Sequence, residues 1–173
     1  MLIWNLILIA CFTQVQQLPV SEKEIVSISV AETFAVPGTK SFVIIRVMIK
    51  EGYHIQANKV NDESLIPATL RITQNRFFNI GKAIYPPYKL FRLKGTENYL
   101  NVFDSVFIIR LPIKTLSITK AGRHLIKAHL HYQACDAKTC LFPKTLDLEL
   151  PIVVQKHIPL KSVHKQTAGA STK

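Results

Sequence analysis

The sequence predicts an all-β fold, an immunoglobulin-like antiparallel β-sandwich, and three observations carry that expectation. From Ile25 onward apolar residues recur with period two in many short stretches, no segment holds a helical period, and clusters of turn-forming residues separate the stretches. The predicted strands cover 25–34, 41–50, 54–58, 68–74, 79–85, 102–114, 124–135 and 144–154. Between them stand Pro37-Gly38, Glu51-Gly52, Asn61-Asp62-Glu63, Pro86-Pro87, Gly95 and Ala121-Gly122, residue pairs that break a strand and reverse the chain. Short strands at such intervals, in a unit of about 130 residues, suit two packed sheets.

Bulk properties bound the rest. The chain has 173 residues, 48% hydrophobic and 19% charged, enough apolar material for one core and the usual size of one domain. Its formal charge is +11; residues 1–17 contribute nothing to it, and Lys156, Lys161, Lys165 and Lys173 supply four of the excess charges with no acid among them. The remaining lysines and arginines are scattered between apolar strand positions, with no Arg-rich run and no aromatics interleaved with basic residues. This is a solvated charge distribution and does not select nucleic acid as a partner.

Three segments follow. Residues 1–17 begin with the apolar run MLIWNLILIACF, too short to span a bilayer but suited to a secretory signal, although no Lys or Arg precedes it. Within it Leu8-Ile9-Ala10-Cys11 resembles a bacterial lipobox. A lipid anchor at Cys11 and an ordinary cleaved signal therefore both remain open. Residues 18–155 form the folded domain, and 156–173 lose all alternation and predict a disordered basic tail.

The stretch before the last two cysteines carries the most information. Ile126, Ala128, Leu130, Tyr132 and Ala134 fall on one side of a strand and Lys127, His129, His131, Gln133 and Cys135 on the other, which puts Cys135 on the wet face. With Cys11 cleaved away or lipidated, Cys135 and Cys140 are the two thiols left, so one intramolecular disulfide is available. The intervening Asp136-Ala137-Lys138-Thr139 allows a turn that brings the Cα atoms within roughly 4.4 to 6.8 Å.

Such a bond has several readings. It could staple an exported domain, leaving an immunoglobulin-like binding or assembly module with a purely structural disulfide. A loop this short yields only about 2 kcal/mol, against nearly 5 for a loop of about 100 residues, and an accessible bond is a labile one, which favours exchange. His129 and His131 with the two cysteines are ligand types that zinc or copper accepts, but His131 lies roughly 13 Å from Cys135 along an extended strand. A hydrolytic cysteine would be quenched by a second thiol so near.

Tyr132-Gln133-Ala134-Cys135-Asp136-Ala137-Lys138-Thr139-Cys140-Leu141-Phe142-Pro143 resembles the active segment of the N-terminal periplasmic domain of DsbD-type thiol:disulfide interchange proteins. The blocks Gly52-Tyr53-His54-Ile55-Gln56-Ala57-Asn58-Lys59, Leu65-Ile66-Pro67-Ala68-Thr69-Leu70, Tyr85-Pro86 and Leu100-Asn101-Val102-Phe103-Asp104 occur in that family's order. The resemblance implies an immunoglobulin-like domain whose cysteine pair takes electrons from a thioredoxin-like domain or a membrane electron-conduit protein. It passes them to oxidised periplasmic proteins, disulfide isomerases and cytochrome c maturation factors included, by exchange chemistry that requires no bound cofactor or metal. It also implies a shielding loop near 96–102, with Glu97 and Tyr99 in it, Tyr53 as aromatic lining, and Tyr132 and Gln133 beside the pair.

Three departures from the family stand out. Asn98 occupies the place where some members carry a shielding Phe, a part that Phe103 is then expected to take. Four residues separate the cysteines where some members have five, and Phe142 stands where a second proline is frequent. Complete members continue into a membrane conduit and a thioredoxin-like domain that do not occur in these 173 residues, so the electron donor is expected to be a separate protein.

Overall fold

Period-two alternation becomes twelve strands in the computed structural model, which describes residues 25–93 and 97–156. In chain order they are β1 (Val26–Val30), β2 (Thr33–Ala35), β3 (Lys40–Ile49), β4 (His54–Gln56), β5 (Thr69–Ile72), β6 (Phe78–Ile80), β7 (Lys89–Arg92), β8 (Tyr99–Asp104), β9 (Val106–Thr115), β10 (Gly122–Tyr132), β11 (Ala134–Cys135) and β12 (Lys144–Val154). No described helix is long and apolar enough to cross a membrane. The proposed signal with Cys11, most of the basic tail, Gly95 and Thr96 lie outside the described residues.

Hydrogen bonding sorts the strands into three sheets, β1-β3-β9-β6, β2-β12-β10-β5 and β11-β4-β8-β7. The inner faces of the first two meet in one core. Val43, Ile45 and Val47 of β3 and Ile109, Leu111 and Ile113 of β9 come from one side, Ile126, Ala128 and Leu130 of β10 and Leu150, Ile152 and Val154 of β12 from the other. Each of these is at least 98% buried, and alternation along the strands turns the intervening Arg46, Arg110, Lys127 and Glu149 to solvent. Burying one such Ile or Leu contributes about 1.5 to 3 kcal/mol.

Pairing is antiparallel throughout the described strands except where β2 runs parallel to β12. The stretch 25–34, expected as one strand, changes sheet at Ala31-Glu32: β1 pairs with β3 in the first sheet, and β2 continues beside β12 in the second. The stretch 102–114 likewise divides. At Ser105 the chain passes from β8 in the third sheet to β9 in the first.

Ser105 makes that corner with φ of 54°, in the left-handed region where non-glycine residues pay a steric penalty, and its carbonyl accepts a 2.6 Å hydrogen bond from the Ile49 amide. Ser105→Val is expected to lower the unfolding free energy by about 1 to 2 kcal/mol while Ser105→Gly leaves it unchanged or raised, a contrast readable by urea denaturation.

Candidate functional site

Strand β10 ends at Tyr132, and the chain then leaves its sheet. Up to His131 it pairs with β5 on one side and, to Tyr132, with β12 on the other; from Ala134 it pairs with β4 of the third sheet instead. Gln133 forms the crossing. Its Oε1 accepts from the Ile66 amide at 3.1 Å, its Nε2 donates to the Leu141 carbonyl at 3.2 Å, and its own carbonyl accepts from the Gln56 amide at 3.0 Å. One residue thereby ties together the third sheet, the 64–68 loop and the return from the cysteine turn.

The change of sheet overturns the face assigned to Cys135. Alternation holds to Tyr132, buried in the core, but the chain redirects at Gln133, and Cys135 is 0% exposed rather than on the wet side. Cys140 remains partly exposed. The two form a disulfide with Cα atoms 3.9 Å apart, closer than the interval expected, because they face each other directly as an isolated antiparallel bridge.

The turn between them is closed by its own hydrogen bonds. Asp136 Oδ1 accepts from the amides of Lys138 at 2.7 Å and Thr139 at 2.8 Å, and the Asp136 amide donates to the Thr139 carbonyl at 2.9 Å. Those two amides, with lesser help from Lys138 and His54, hold the Asp136 carboxyl below the ordinary value. Beyond the turn the Leu141 amide donates to the Ala134 carbonyl at 2.7 Å.

Register identifies what shares a face with Cys135. Cys135 lies opposite His54, His54 opposite Asp104, Gln56 opposite Val102, and Val102 opposite Lys89. Opposed residues point the same way. The disulfide face thus carries His54, Gln56, Val102, Asp104, Lys89 and Phe91, while Ala134, Ile55 and Phe103 point to the other side. Contacts agree: the His54 and Phe91 rings sit 4.1 Å apart, and Lys89 Nζ pairs with Asp104 Oδ1 at 2.7 Å.

Two side chains on this face are buried and polar. Gln56, 0% exposed, points Nε2 at Cys135 Sγ from 3.3 Å and at Cys140 Sγ from 3.8 Å, and its Oε1 has no protein partner. His54, 3% exposed, has an unpartnered Nε2. Burial pushes its imidazole below the ordinary value of 6.5 despite the opposing pull of Asp104 and Asp136, so the ring is neutral near pH 7.

The predicted site residues divide among these surroundings. Tyr53 is partly buried against the core and lines a groove of about 660 Å³ together with His54, Phe91, Val102, Asp104 and Ala137 of the disulfide turn. Glu97 is exposed just before β8. Tyr99, half exposed, opens β8 on the side opposite Cys135, and its carbonyl accepts from Asn61 Nδ2. Phe103 stacks at 4.4 Å on Phe107 inside the core, and the aromatic on the cysteine's own face is Phe91. On the far side of the β8–β9 corner a second groove of about 630 Å³ runs past Tyr85, Pro86, Val106, Phe107 and Ile108. His129 and His131 are held by Asp147 and Thr145 at 2.7 and 2.9 Å on β12.

A buried cysteine joined to a half-sheltered one on a small sheet is what a family comparison can decide. The model for "Thiol:disulfide interchange protein DsbD, N-terminal" matches residues 22–151. The chain belongs to this family. Among solved structures, this chain is similar in fold to the N-terminal periplasmic domain of ScsB from Proteus mirabilis, with a TM-score of 0.52 at 13% identity, over 77% of this chain and 49% of that one, and the fold is the immunoglobulin-like one expected. The chain thus spans about half the length of the ScsB structure. The Neisseria meningitidis DsbD N-terminal domain in its reduced form aligns with a TM-score of 0.49 at 12% identity, over 76% of this chain and 89% of that one. Comparison with curated proteins finds no match.

Two measurements check the geometry. Because the folded His54 ring resists protonation, the unfolded state binds the extra proton first; stability is lost as pH falls through 6.5 and the loss is complete below the depressed folded value. Urea denaturation at about pH 8 and about pH 5 is expected to show wild type losing stability relative to His54→Phe. Gln133→Ala is expected to cost about 1 to 3 kcal/mol, since it strands the Ile66 amide and the Leu141 carbonyl.

Proposed function

We propose that this DsbD-family domain is a periplasmic thiol–disulfide exchange module that relays electrons through Cys135 and Cys140. The donor is a thioredoxin-like domain or a membrane electron-conduit protein, and the acceptors are oxidised periplasmic proteins. The observation that carries the reading is the asymmetry of the pair: Cys135 is 0% exposed, while Cys140 stands partly exposed on the outer side of the sheet's edge. An incoming thiolate meets the Cys140 sulfur first. Attack there forms a mixed disulfide between donor and Cys140, breaks the Cys135–Cys140 bond and leaves the electron pair on Cys135. The donor's second thiolate then displaces Cys140, and the reduced pair repeats the sequence in reverse on an oxidised acceptor.

The surroundings support exchange over a structural staple. The Asp136 turn, the Leu141 to Ala134 bond and the Gln133 side chain fasten the loop without help from the sulfurs. Opening the bond therefore leaves the site assembled for the return reaction. Phe91 on His54 walls one side of the pair, and the groove past Tyr53 and Ala137 leads a partner toward it, with Glu97 and Tyr99 at the end of the neighbouring hairpin.

Two tests follow from this. In the full chain carrying Cys11→Ser, Cys135→Ala is expected to trap thioredoxin-like donors supplied in their disulfide form, or oxidised periplasmic proteins, as mixed disulfides on Cys140, identified by mass spectrometry, and Cys140→Ala to trap far fewer. Equal trapping by both variants, or none by either, would sink the proposal. Reduction of the bond is expected to lower stability by no more than about 2 kcal/mol in denaturant titrations of the oxidised and reduced protein.

A further inference from the structure

We infer that Gln56 is a catalytic residue of the exchange, its Nε2–H donating to the sulfur of Cys135 as that sulfur departs with the electron pair. The inference rests on the exchange reading and adds to it the group that receives the charge.

Gln56 reaches the pair from 79 positions away in sequence, and its place is fixed at both levels. Its main chain is held between β11 and β8, with its amide on the Gln133 carbonyl at 3.0 Å, and its side chain is 0% exposed. Nε2 stands 3.3 Å from Cys135 Sγ and 3.8 Å from Cys140 Sγ, while Oε1 is buried with no protein partner. An apolar side chain of similar size would fill the position without that desolvation penalty. What the amide supplies is a donor aimed at sulfur.

That donor matters more after the bond opens than before. A disulfide sulfur is a weak acceptor, whereas a thiolate is a charged one, so the contact strengthens as negative charge develops on Cys135. An interaction that is stronger in the transition state than in the ground state is one that accelerates the step.

Other groups near the sulfur do not do this. His54, opposite Cys135, is neutral near pH 7 through burial. Asp104 on β8 and Asp136 in the turn are both carboxylates, and each opposes a negative charge at Cys135. Lys89 on β7 is engaged with Asp104 at 2.7 Å, and Lys138 lies on the exposed side of the turn. A buried thiolate in that field is stabilised by an oriented amide dipole.

The step balances without any other reagent. The sulfur of the donor dithiol bonds to Cys140 Sγ, the bond between Cys140 and Cys135 breaks, and its electron pair passes to Cys135 Sγ against Gln56 Nε2–H. In the opposite direction the same amide holds the Cys135 thiolate before it attacks the mixed disulfide on Cys140 and expels the partner's thiolate.

The test uses the full chain with Cys11→Ser. In a Cys140→Ala background, thiolate formation at Cys135 is followed against pH by ultraviolet absorbance. Gln56→Leu is expected to raise its midpoint by about one unit, a tenfold change in the ionisation equilibrium. In the intact pair, Gln56→Leu is expected to slow reduction by dithiothreitol about tenfold. An unchanged midpoint and an unchanged rate in folded Gln56→Leu overturn the inference and leave the relay standing. Should Gln56→Leu fail to fold, Gln56→Met, equal in length but without a donor, must raise the midpoint, and a midpoint that stays put overturns the inference. Failure of the wild-type pair to exchange with thioredoxin-like proteins strikes the relay alone, because the thiolate midpoint reads Gln56 independently.

Discussion

At Gln133 the chain hands its main-chain hydrogen bonds from the β5–β10–β12 sheet to the edge of β4, two residues before a cysteine. Every feature of the sulfur site follows from that transfer. Had β10 continued straight, Cys135 would stand on the solvent side with His129 and His131, a free surface thiol with no wall. Redirected, it lands opposite His54 and beside Gln56. The Gln133 side chain spends both ends of its amide on backbone groups of two other segments, which gives the crossing a defined angle. A residue with one hydrogen-bonding end could fasten only one of them.

The third sheet also shows how a fold sets apart a reactive group inside ordinary packing. One face, with Ile55, Phe103 and Ala134, belongs to the hydrophobic core and supplies the adhesion. The other carries buried polar groups, His54 and Gln56, whose desolvation that core must offset. Family membership says that a domain of this kind deals in thiols and disulfides. The polar pair says how this chain surrounds its own sulfurs, with an amide and a neutral imidazole in place of a cation.

Much of the architecture was legible because alternation is a local signal. The strand at 144–154 runs in the structure over Lys144–Val154, and the one expected at 41–50 is displaced by a single residue. Where the chain turns a corner without glycine or proline, alternation cannot report it. Val102 to Lys114 reads as one continuous strand, and only the backbone of Ser105 reveals two. The four residues of β7 carry too little pattern to register as a strand. The cysteine pair was visible from spacing and motif, but its neighbours were not, because Gln56 meets Cys135 through pairing between distant segments. The clue on offer was His54-Ile55-Gln56, two polar residues alternating about an isoleucine. Alternation alone puts the two polar residues on the face away from the isoleucine, and in the structure all three are buried.

The corner at Ser105 separates two concavities, and Val102, Asp104, Ser105 and Val106 line both. A single wall therefore bounds both, and anything lodged against Tyr85 and Ile108 would rest on the far side of the wall that borders the approach to the sulfurs.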